Sequence, residues 1–261
     1  MNLDYLKKTE KALNEDIFWN IPEQKTGIIS IIGGNSNNFS FEIKQAEFLN
    51  TLNLKEVRLI LPDSLKSKVP PVPGVNFTPA TESGSFDKSS ELNFALSDSD
   101  LTLLSGDFSK NSATSIAILN AIKNSEKPVV LSRDAIDLIS ESAEEIIERE
   151  GLIFVASMSQ LQKLFRNLLY PKMLLLGAPL LPVVETLHKF TLSYPATILT
   201  FHQGNILVAS SGEVIATPID ATNYSPISLF MSNLASKIAT LNLWNPKKYL
   251  ESTHSALFYN S

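Results

Sequence analysis

Short apolar runs alternate with segments of helical spacing along the first 156 residues, and this alternation limits the possible folds more than any other feature of the chain. Five runs are predicted strands, at residues 27–32, 56–61, 101–105, 128–132 and 152–156. Between the first two runs, Ile43, Ala46 and Leu49 recur at helical spacing. Strand–helix–strand units of this kind imply a parallel sheet covered by helices. We therefore expect a three-layer α/β domain.

The pattern changes after residue 195, where three closely spaced apolar runs follow one another. Residues 196–201, 205–210 and 213–218 are separated by Gln203-Gly204 and Ser211-Gly212. Short polar turns between such runs predict antiparallel strands, so the sheet is expected to become mixed late in the chain.

Two further expectations concern the organisation of the chain. Residues 1–26 are predicted to form a helical extension, because Leu6, Leu13 and Phe18 lie among charged residues, and residues 27–261 to form a single domain. Residues 65–87 are rich in proline and glycine and are predicted to be a surface loop.

Composition excludes several functional classes. The chain has 261 residues, a formal net charge of −5 and no basic block, which disfavours nucleic-acid binding. It has no cysteine, so disulfides, thiolate metal sites and cysteine nucleophiles are excluded. The three histidines lie far apart and predict no metal site. The longest apolar stretch, residues 173–184, is shorter than the roughly 20 residues of a membrane span, and the charged N-terminus does not resemble a signal peptide. We expect a cytoplasmic protein without a membrane partner.

The predicted strands end in small or polar residues, which is where ligands bind in open α/β sheets. The four carboxyl ends read Gly33-Gly34-Asn35, Ser105-Gly106-Asp107, Ser132-Arg133-Asp134 and Ser157-Met158-Ser159. Glycine lets a backbone approach a ligand closely, and an asparagine offers both donors and an acceptor, so the first cluster is a candidate binding segment. These residue types also form ordinary turns. Neither a GxGxxG fingerprint nor a P-loop is present.

Two acidic residues and one helix start are candidates for chemistry. Asp134 is a candidate general base or polar anchor, with a helix N-cap as the alternative, and Asp107 follows the same logic. A helix is predicted over residues 226–240, and Asn223, Ser225 and Ser228 surround its start. Free N–H groups at a helix start favour a phosphate, although the same residues are typical of an ordinary capped helix.

The order of these segments resembles the ribokinase-like superfamily and, within it, the ADP/ATP-dependent NAD(P)H-hydrate dehydratase family. Residues 31–35 (IIGGN) resemble the family's "GGS" segment, and residues 127–139 (KPVVLSRDAIDLI) are similar to its "kPvVlDADALnll" segment. Residues 206–214 (ILVASSGEV) resemble its "TVIAxPDG" hairpin. Gly33, Gly34 and Asp134 match the family pattern, and Asn35 nearly does. The resemblance implies a ribokinase-like fold, self-association, and a substrate site that includes these four residues.

The resemblance also implies a nucleotide-dependent reaction, but the motif that would carry it is replaced. The family's GSGD motif supplies N–H groups to the phosphates and a catalytic aspartate, whereas these positions read Ser225-Pro226-Ile227-Ser228 here. Three hypotheses follow. The protein is a divergent dehydratase that uses ADP or ATP with Mg²⁺, a non-catalytic relative that binds a nucleotide or metabolite or acts as an assembly scaffold, or a small-molecule kinase whose base is Asp134 or Asp107.

Overall fold

The computed structural model describes residues 3–219, 227 and 230–259. Its strands run, in chain order, β1 (Leu6–Lys8), β2 (Ile28–Ile32), β3 (Glu56–Pro62), β4 (Val75–Thr78), β5 (Leu101–Leu104), β6 (Val129–Ser132), β7 (Leu152–Val155), β8 (Ala196–His202), β9 (Asn205–Ser210) and β10 (Glu213–Pro218). Its α-helices are α1 (Asp16–Trp19), α2 (Ser40–Asn50), α3 (Ser90–Ser97), α4 (Ser112–Lys123), α5 (Asp134–Ile139), α6 (Met158–Asn167), α7 (Leu180–Ser193), α8 (Leu234–Trp244) and α9 (Tyr249–Ser255).

These strands form one mixed sheet in the order β1-β10-β9-β8-β7-β6-β5-β2-β3-β4. All neighbouring pairs are parallel except β8–β9 and β9–β10, which are antiparallel. Ile32 of β2 lies beside Ile60 on one side and Leu104 on the other. The expected mostly parallel α/β sheet with late antiparallel strands is confirmed.

Two apolar cores cover the two faces of the sheet. One core joins the sheet to α3, α4, α5, α6 and α7, and the other joins it to α1, α2, α8 and α9. The central strands are buried on both faces, which explains why β5, β6 and β7 are almost uninterrupted apolar runs. The result is a three-layer α/β/α arrangement.

The structure corrects two expectations about the edges of the sheet. The predicted N-terminal helical extension is wrong for Leu6–Lys8, which pairs in parallel with β10, and only Asp16–Trp19 is an α-helix before β2. The predicted loop at 65–87 contains Val75–Thr78, which pairs in parallel with β3. Both strands have only three or four residues, too few to show a period in sequence, and their pairing comes from a distant partner.

The expected helices elsewhere differ mainly at their ends. The sequence also predicts a helix over residues 143–150, whereas the structure has a 3-10 helix that ends at Glu145, after which Ile146 and Ile147 turn into the core. Asn245-Pro246 predicts the start of the last helix, but this helix begins at Tyr249. The start of the helix predicted over 226–240 lies outside the described residues. Within the described ranges, no helix is both long and apolar enough to cross a membrane.

Candidate functional site at the switch point of the sheet

The strand order reverses between β2 and β5. From β2 the chain proceeds to β3 and β4 on one side, whereas β5 and the following strands extend on the other. At such a switch point the loops after the two strands turn in opposite directions and leave a crevice beyond their carboxyl ends, where ligands bind in open α/β sheets. Here the segments after β2 and β5, two of the predicted clusters, lie at the switch point.

Asp107 connects these two segments to a third. The side-chain amide of Asn35 donates to the Asp107 carbonyl oxygen at 3.1 Å. The Asp107 carboxylate accepts from Asn38, and its Oδ1 accepts from the Arg133 guanidinium at 2.9 Å. The carboxyl ends of β2, β5 and β6 are therefore joined through one residue, as expected for three adjacent parallel strands.

Arg133 is held in a strained backbone conformation to make these contacts. Its φ of 54° and ψ of −135° lie in a region that non-glycine residues rarely adopt. Its guanidinium carbon lies 4.2 Å from the centre of the Phe41 ring, and Nη1 lies 3.2 Å from the Met231 sulfur. The Arg133 carbonyl oxygen accepts from Gln160 at 2.8 Å. Strain of this kind persists only where surrounding contacts impose it, and it concentrates at functional sites.

Glu42 lies beneath these loops, fully buried in the first turn of α2. Its Oε1 accepts the Asp107 backbone N–H at 3.0 Å, while its Oε2 is buried with no hydrogen-bond partner within the described part of the chain. Burial raises the pKa of Glu42 to about 7, and the Asp107 carboxylate adds to the rise.

Asp134 is the first residue of α5 and is partly exposed. Partial burial, with the neighbouring Asp107 carboxylate, raises the pKa of Asp134 above its ordinary value. The N-cap position belongs to Arg133, and no side chain caps this helix. The N-cap alternative for Asp134 is therefore wrong, and its carboxylate is left facing the same cluster of charges. We call Asn35, Glu42, Asp107, Arg133 and Asp134 the switch-point cluster.

Close packing explains why glycine occupies both positions of the predicted Gly33-Gly34 binding segment. A Cβ on Gly33 would lie 1.9 Å from the Ser105 carbonyl oxygen, so β2 and the β5 loop touch through this position. Gly34 has a φ of +88°, and its Cβ would lie 3.2 Å from Leu61 and 3.3 Å from Phe39. Ligand contact at these glycines stays a prediction.

The remaining predicted site residues fall elsewhere. Asn223, Ser225 and Ser228 lie outside the described residues, as does most of the segment at the GSGD position. Ser157 caps α6 in a capping box with Gln160. Among the parts that the structure describes, no three histidine or acidic side chains group as a metal ion would require.

Sequence reasoning missed Glu42 and named Arg133 only as part of a strand end. Glu42 lies four residues before Ala46 and seven before Leu49, so it falls on the buried stripe of α2, and Gln45 accompanies it. A charged residue on an apolar stripe was the signal that could have found it. No local pattern marks Arg133, because its partners come from other strands.

Solved structures share this arrangement of strands and helices along almost the whole chain. A ribokinase-like superfamily protein from Enterococcus faecalis is 15% identical and matches with a TM-score of 0.68, covering 99% of this chain and 87% of its own. The chain has the ribokinase-like fold. Scans against protein-family models and curated protein sequences find no match.

Two ribokinase-like neighbours of the chain have named activities. ADP/ATP-dependent NAD(P)H-hydrate dehydratase from Bacillus subtilis, co-crystallised with ATP and Mg²⁺, is 13% identical with a TM-score of 0.59 over 94% of this chain and 84% of its own. Pyridoxal kinase from the same organism, in an ADP complex, is 12% identical with a TM-score of 0.54 over 90% of each chain. At such identities the likeness concerns the fold, because function depends on the site.

Proposed function

We propose that this protein binds a small molecule, a nucleotide or metabolite, at the switch-point cluster of its ribokinase-like fold. The observation that carries this proposal is the junction at Asp107, where three strand ends meet. A strained Arg133 and an unpartnered, buried Glu42 oxygen flank that junction. Most buried polar atoms in proteins are hydrogen-bonded, so an unpartnered carboxyl oxygen beside a strained residue calls for an explanation.

The nucleotide that we propose is ADP or ATP with Mg²⁺. Two solved neighbours of the fold were crystallised with ATP and Mg²⁺ or with ADP. The proposed substrate contacts are Gly33, Gly34, Asn35 and Asp134, and the proposed phosphate contacts are Asn223, Ser225 and Ser228. Asp134 offers carboxylate oxygens of the kind that Mg²⁺ prefers, and nucleotide phosphates complete such coordination when they are bound.

Calorimetric titration with ADP, and separately with ATP plus Mg²⁺, tests this proposal. We expect saturable binding in the micromolar range, and Asp134→Asn is expected to weaken the binding of ATP plus Mg²⁺ about tenfold through loss of one carboxylate contact to the metal. Asp16→Asn is the matched control, since Asp16 is likewise an exposed acidic residue in the first turn of a helix but lies on α1 and outside the switch-point cluster. Absence of heat for both nucleotides at two temperatures would overturn the nucleotide proposal.

Group transfer from the nucleotide to a substrate hydroxyl is a second candidate function. Asp134 favours it, because its raised pKa suits a general base better than an ordinary aspartate does. An assay with ATP and hydrated NADH would then show turnover that Asp134→Asn removes while Asp16→Asn retains it. Nucleotide binding without turnover on hydrated NADH would instead favour a non-catalytic relative or a kinase with another substrate.

Self-association and a cytoplasmic location also stay predictions. Large apolar side chains are exposed in the connection between α6 and α7, including Leu169, Met173, Leu175 and Leu176. Exposed apolar groups that lie together are typical of interaction surfaces. Light scattering of the purified protein measures the oligomeric state directly, and a monomer at all concentrations would contradict self-association.

A further inference from the structure

The carboxyl group of Glu42 is enclosed by the backbone of both loops at the switch point. A Cβ on Gly106 would lie 1.7 Å from Glu42 Oε1, and a Cβ on Gly33 would lie 3.0 Å from the same atom. Gly106 also has a φ of +101°, a conformation that favours glycine. The two loops are therefore shaped around this carboxyl group, and a side chain at either glycine would displace it.

The carboxyl group has two backbone partners within the described residues, the N–H of Glu42 itself and the Asp107 N–H. Asp107 also contacts three other residues of these loops. Its carboxylate accepts from Arg133 and Asn38, and its carbonyl oxygen accepts from Asn35. Glu42 is therefore positioned to set the backbone of Asp107 and, through it, the geometry of the whole switch-point cluster.

Two charged groups act on Glu42. The Asp107 carboxylate faces it from the end of β5 and the Arg133 guanidinium from the end of β6. On the other sides, β2 and β3 turn apolar residues such as Ile31 and Leu61 into the core beside α2, and Gln45 on α2 itself is neutral. Since burial outweighs these effects, the pKa of Glu42 is raised to about 7.

We propose that Glu42 is the positioning residue of the switch-point cluster and that it exchanges one proton with solvent as part of that role. In its neutral form Glu42 leaves the Asp107–Arg133 ion pair balanced. In its ionised form it accepts a stronger hydrogen bond from the Asp107 N–H, repels the Asp107 carboxylate and attracts Arg133. The cluster then carries one more negative charge.

This change in charge is expected to alter the affinity of the cluster for ligands, an expectation that rests on the proposed function. The neutral form of Glu42 favours anionic groups such as phosphates at the cluster, and the ionised form favours hydrogen-bond donors or cations. Affinity for ADP or ATP is therefore expected to fall as Glu42 loses its proton.

The test is an NMR titration of the ligand-free protein between pH 5 and 9, with carbon-13-labelled glutamate and nitrogen-15-labelled backbone and arginine side chains. We expect the Glu42 carboxyl signal to titrate with a midpoint near 7. The Asp107 amide and the Arg133 Nε signals are expected to follow with the same midpoint. A Glu42 that keeps one protonation state over this range would leave both signals without this pH profile.

Variants separate positioning from proton exchange. Glu42→Gln keeps an acceptor for the Asp107 N–H, so the amide stays hydrogen-bonded while the titration near pH 7 is lost from both reporters. Glu42→Ala loses both the hydrogen bond and the titration. Glu56→Gln, at the opposite ends of the strands and paired with Arg58, leaves both unchanged.

Three results would overturn the inference. They are a Glu42 midpoint near 4.5, no pH profile at Asp107 and Arg133, or a profile that survives in Glu42→Gln. The first two need only the wild-type protein, so they stand even if a variant fails to fold. Because no ligand is added, failure to bind nucleotide in the calorimetric experiment would reject the proposed function while leaving this result unaffected.

Discussion

The two ends of the central strands carry the same kinds of charged residue in different surroundings. At the amino ends, Arg58 lies 2.6 Å from Glu56 and 2.7 Å from Asp98, and these carboxylate side chains are 45% and 43% exposed. At the carboxyl ends, the Arg133 and Asp107 side chains are only 16% and 21% exposed, and Glu42 is fully buried.

Burial of the acidic side chains separates these two ends, because the Arg58 side chain is 15% exposed and so differs little from that of Arg133. Exposed ion pairs contribute little to stability because water and salt screen them. Charges with less access to water interact more strongly and cost more to leave unpaired. The amino ends therefore hold ordinary surface pairs, whereas the carboxyl ends hold an acid whose proton affinity is changed by its surroundings.

Gly106→Ala is expected to disturb the carboxyl ends most. The new methyl group would overlap the Glu42 carboxyl group, and alanine would adopt a φ of +101°. Overpacking and backbone strain each cost about 1–3 kcal/mol, so the free energy of unfolding is expected to fall by about 2–6 kcal/mol in urea denaturation. Gly204→Ala is the matched control, with a φ of +72° and no atom within 4 Å of the new Cβ, so it shows strain alone. Equal losses in the two variants would contradict the role of Glu42 in shaping this loop.

Glu42→Gln is expected to change how stability depends on pH. A carboxyl group with a pKa of 4.5 in the unfolded chain and about 7 in the fold stabilises the protein fully below pH 4.5, and this contribution is lost as pH rises to 7. The loss amounts to at most about 3 kcal/mol. Stability of the variant relative to wild type should therefore rise between pH 4.5 and 7 and stay level above that range, measured by urea unfolding at closely spaced pH values.

The difference between variant and wild type is needed because His254 acts in the opposite direction. Burial lowers the pKa of His254 to about 4, so its stabilising contribution is present above pH 6.5 and is lost as pH falls towards 4. This effect is common to both proteins and cancels in the difference. A flat difference across the range would show that Glu42 is not perturbed.

The Asp107–Arg133 pair is expected to couple by about 1–2 kcal/mol. A double-mutant cycle with Asp107→Asn and Arg133→Gln isolates this term from the separate stacking of Arg133 on Phe41. Partial burial places the value above that of an exposed pair and below that of a fully buried one. A coupling close to zero would remove the distinction between the two ends of the strands.

The smallest effect is expected at the Arg58–Asp98 pair. The same kind of cycle, with Arg58→Gln and Asp98→Asn, is expected to give less than about 1 kcal/mol. Raising the salt concentration from 0.1 to 1 M should reduce it further, since the Debye length falls from about 10 Å to 3 Å. A coupling that exceeds the Asp107–Arg133 value, or that salt leaves unchanged, would reverse the comparison.

Sequence predicted the sheet well wherever the local pattern carries the information. The five parallel strands and the three late antiparallel strands all lie where apolar runs place them, because a strand buried on both faces must be apolar along its length. The edge strands β1 and β4 were missed because their pairing depends on β10 and β3 and not on their own composition.

The candidate site was predicted only in part. The carboxyl ends of β2, β5 and β6 are among the candidate ligand-binding segments that the sequence indicates, and Asn35, Asp107 and Asp134 belong to them. The contacts among these residues join strands that are far apart in sequence, so no local pattern predicts them. The same is true of the strained backbone of Arg133. Glu42 lies on the buried stripe of α2, but nothing in the sequence indicates which group its side chain contacts.

The sequence by itself thus determined the class of fold, because apolar periodicity is a local property that survives in any conformation of the neighbouring chain. The tertiary structure alone decided the chemistry of the switch point. Proton affinity, strain and pairing depend on burial and on charges brought together from separate strands. For Glu42 these surroundings change an ordinary carboxyl group into one that exchanges its proton near neutral pH.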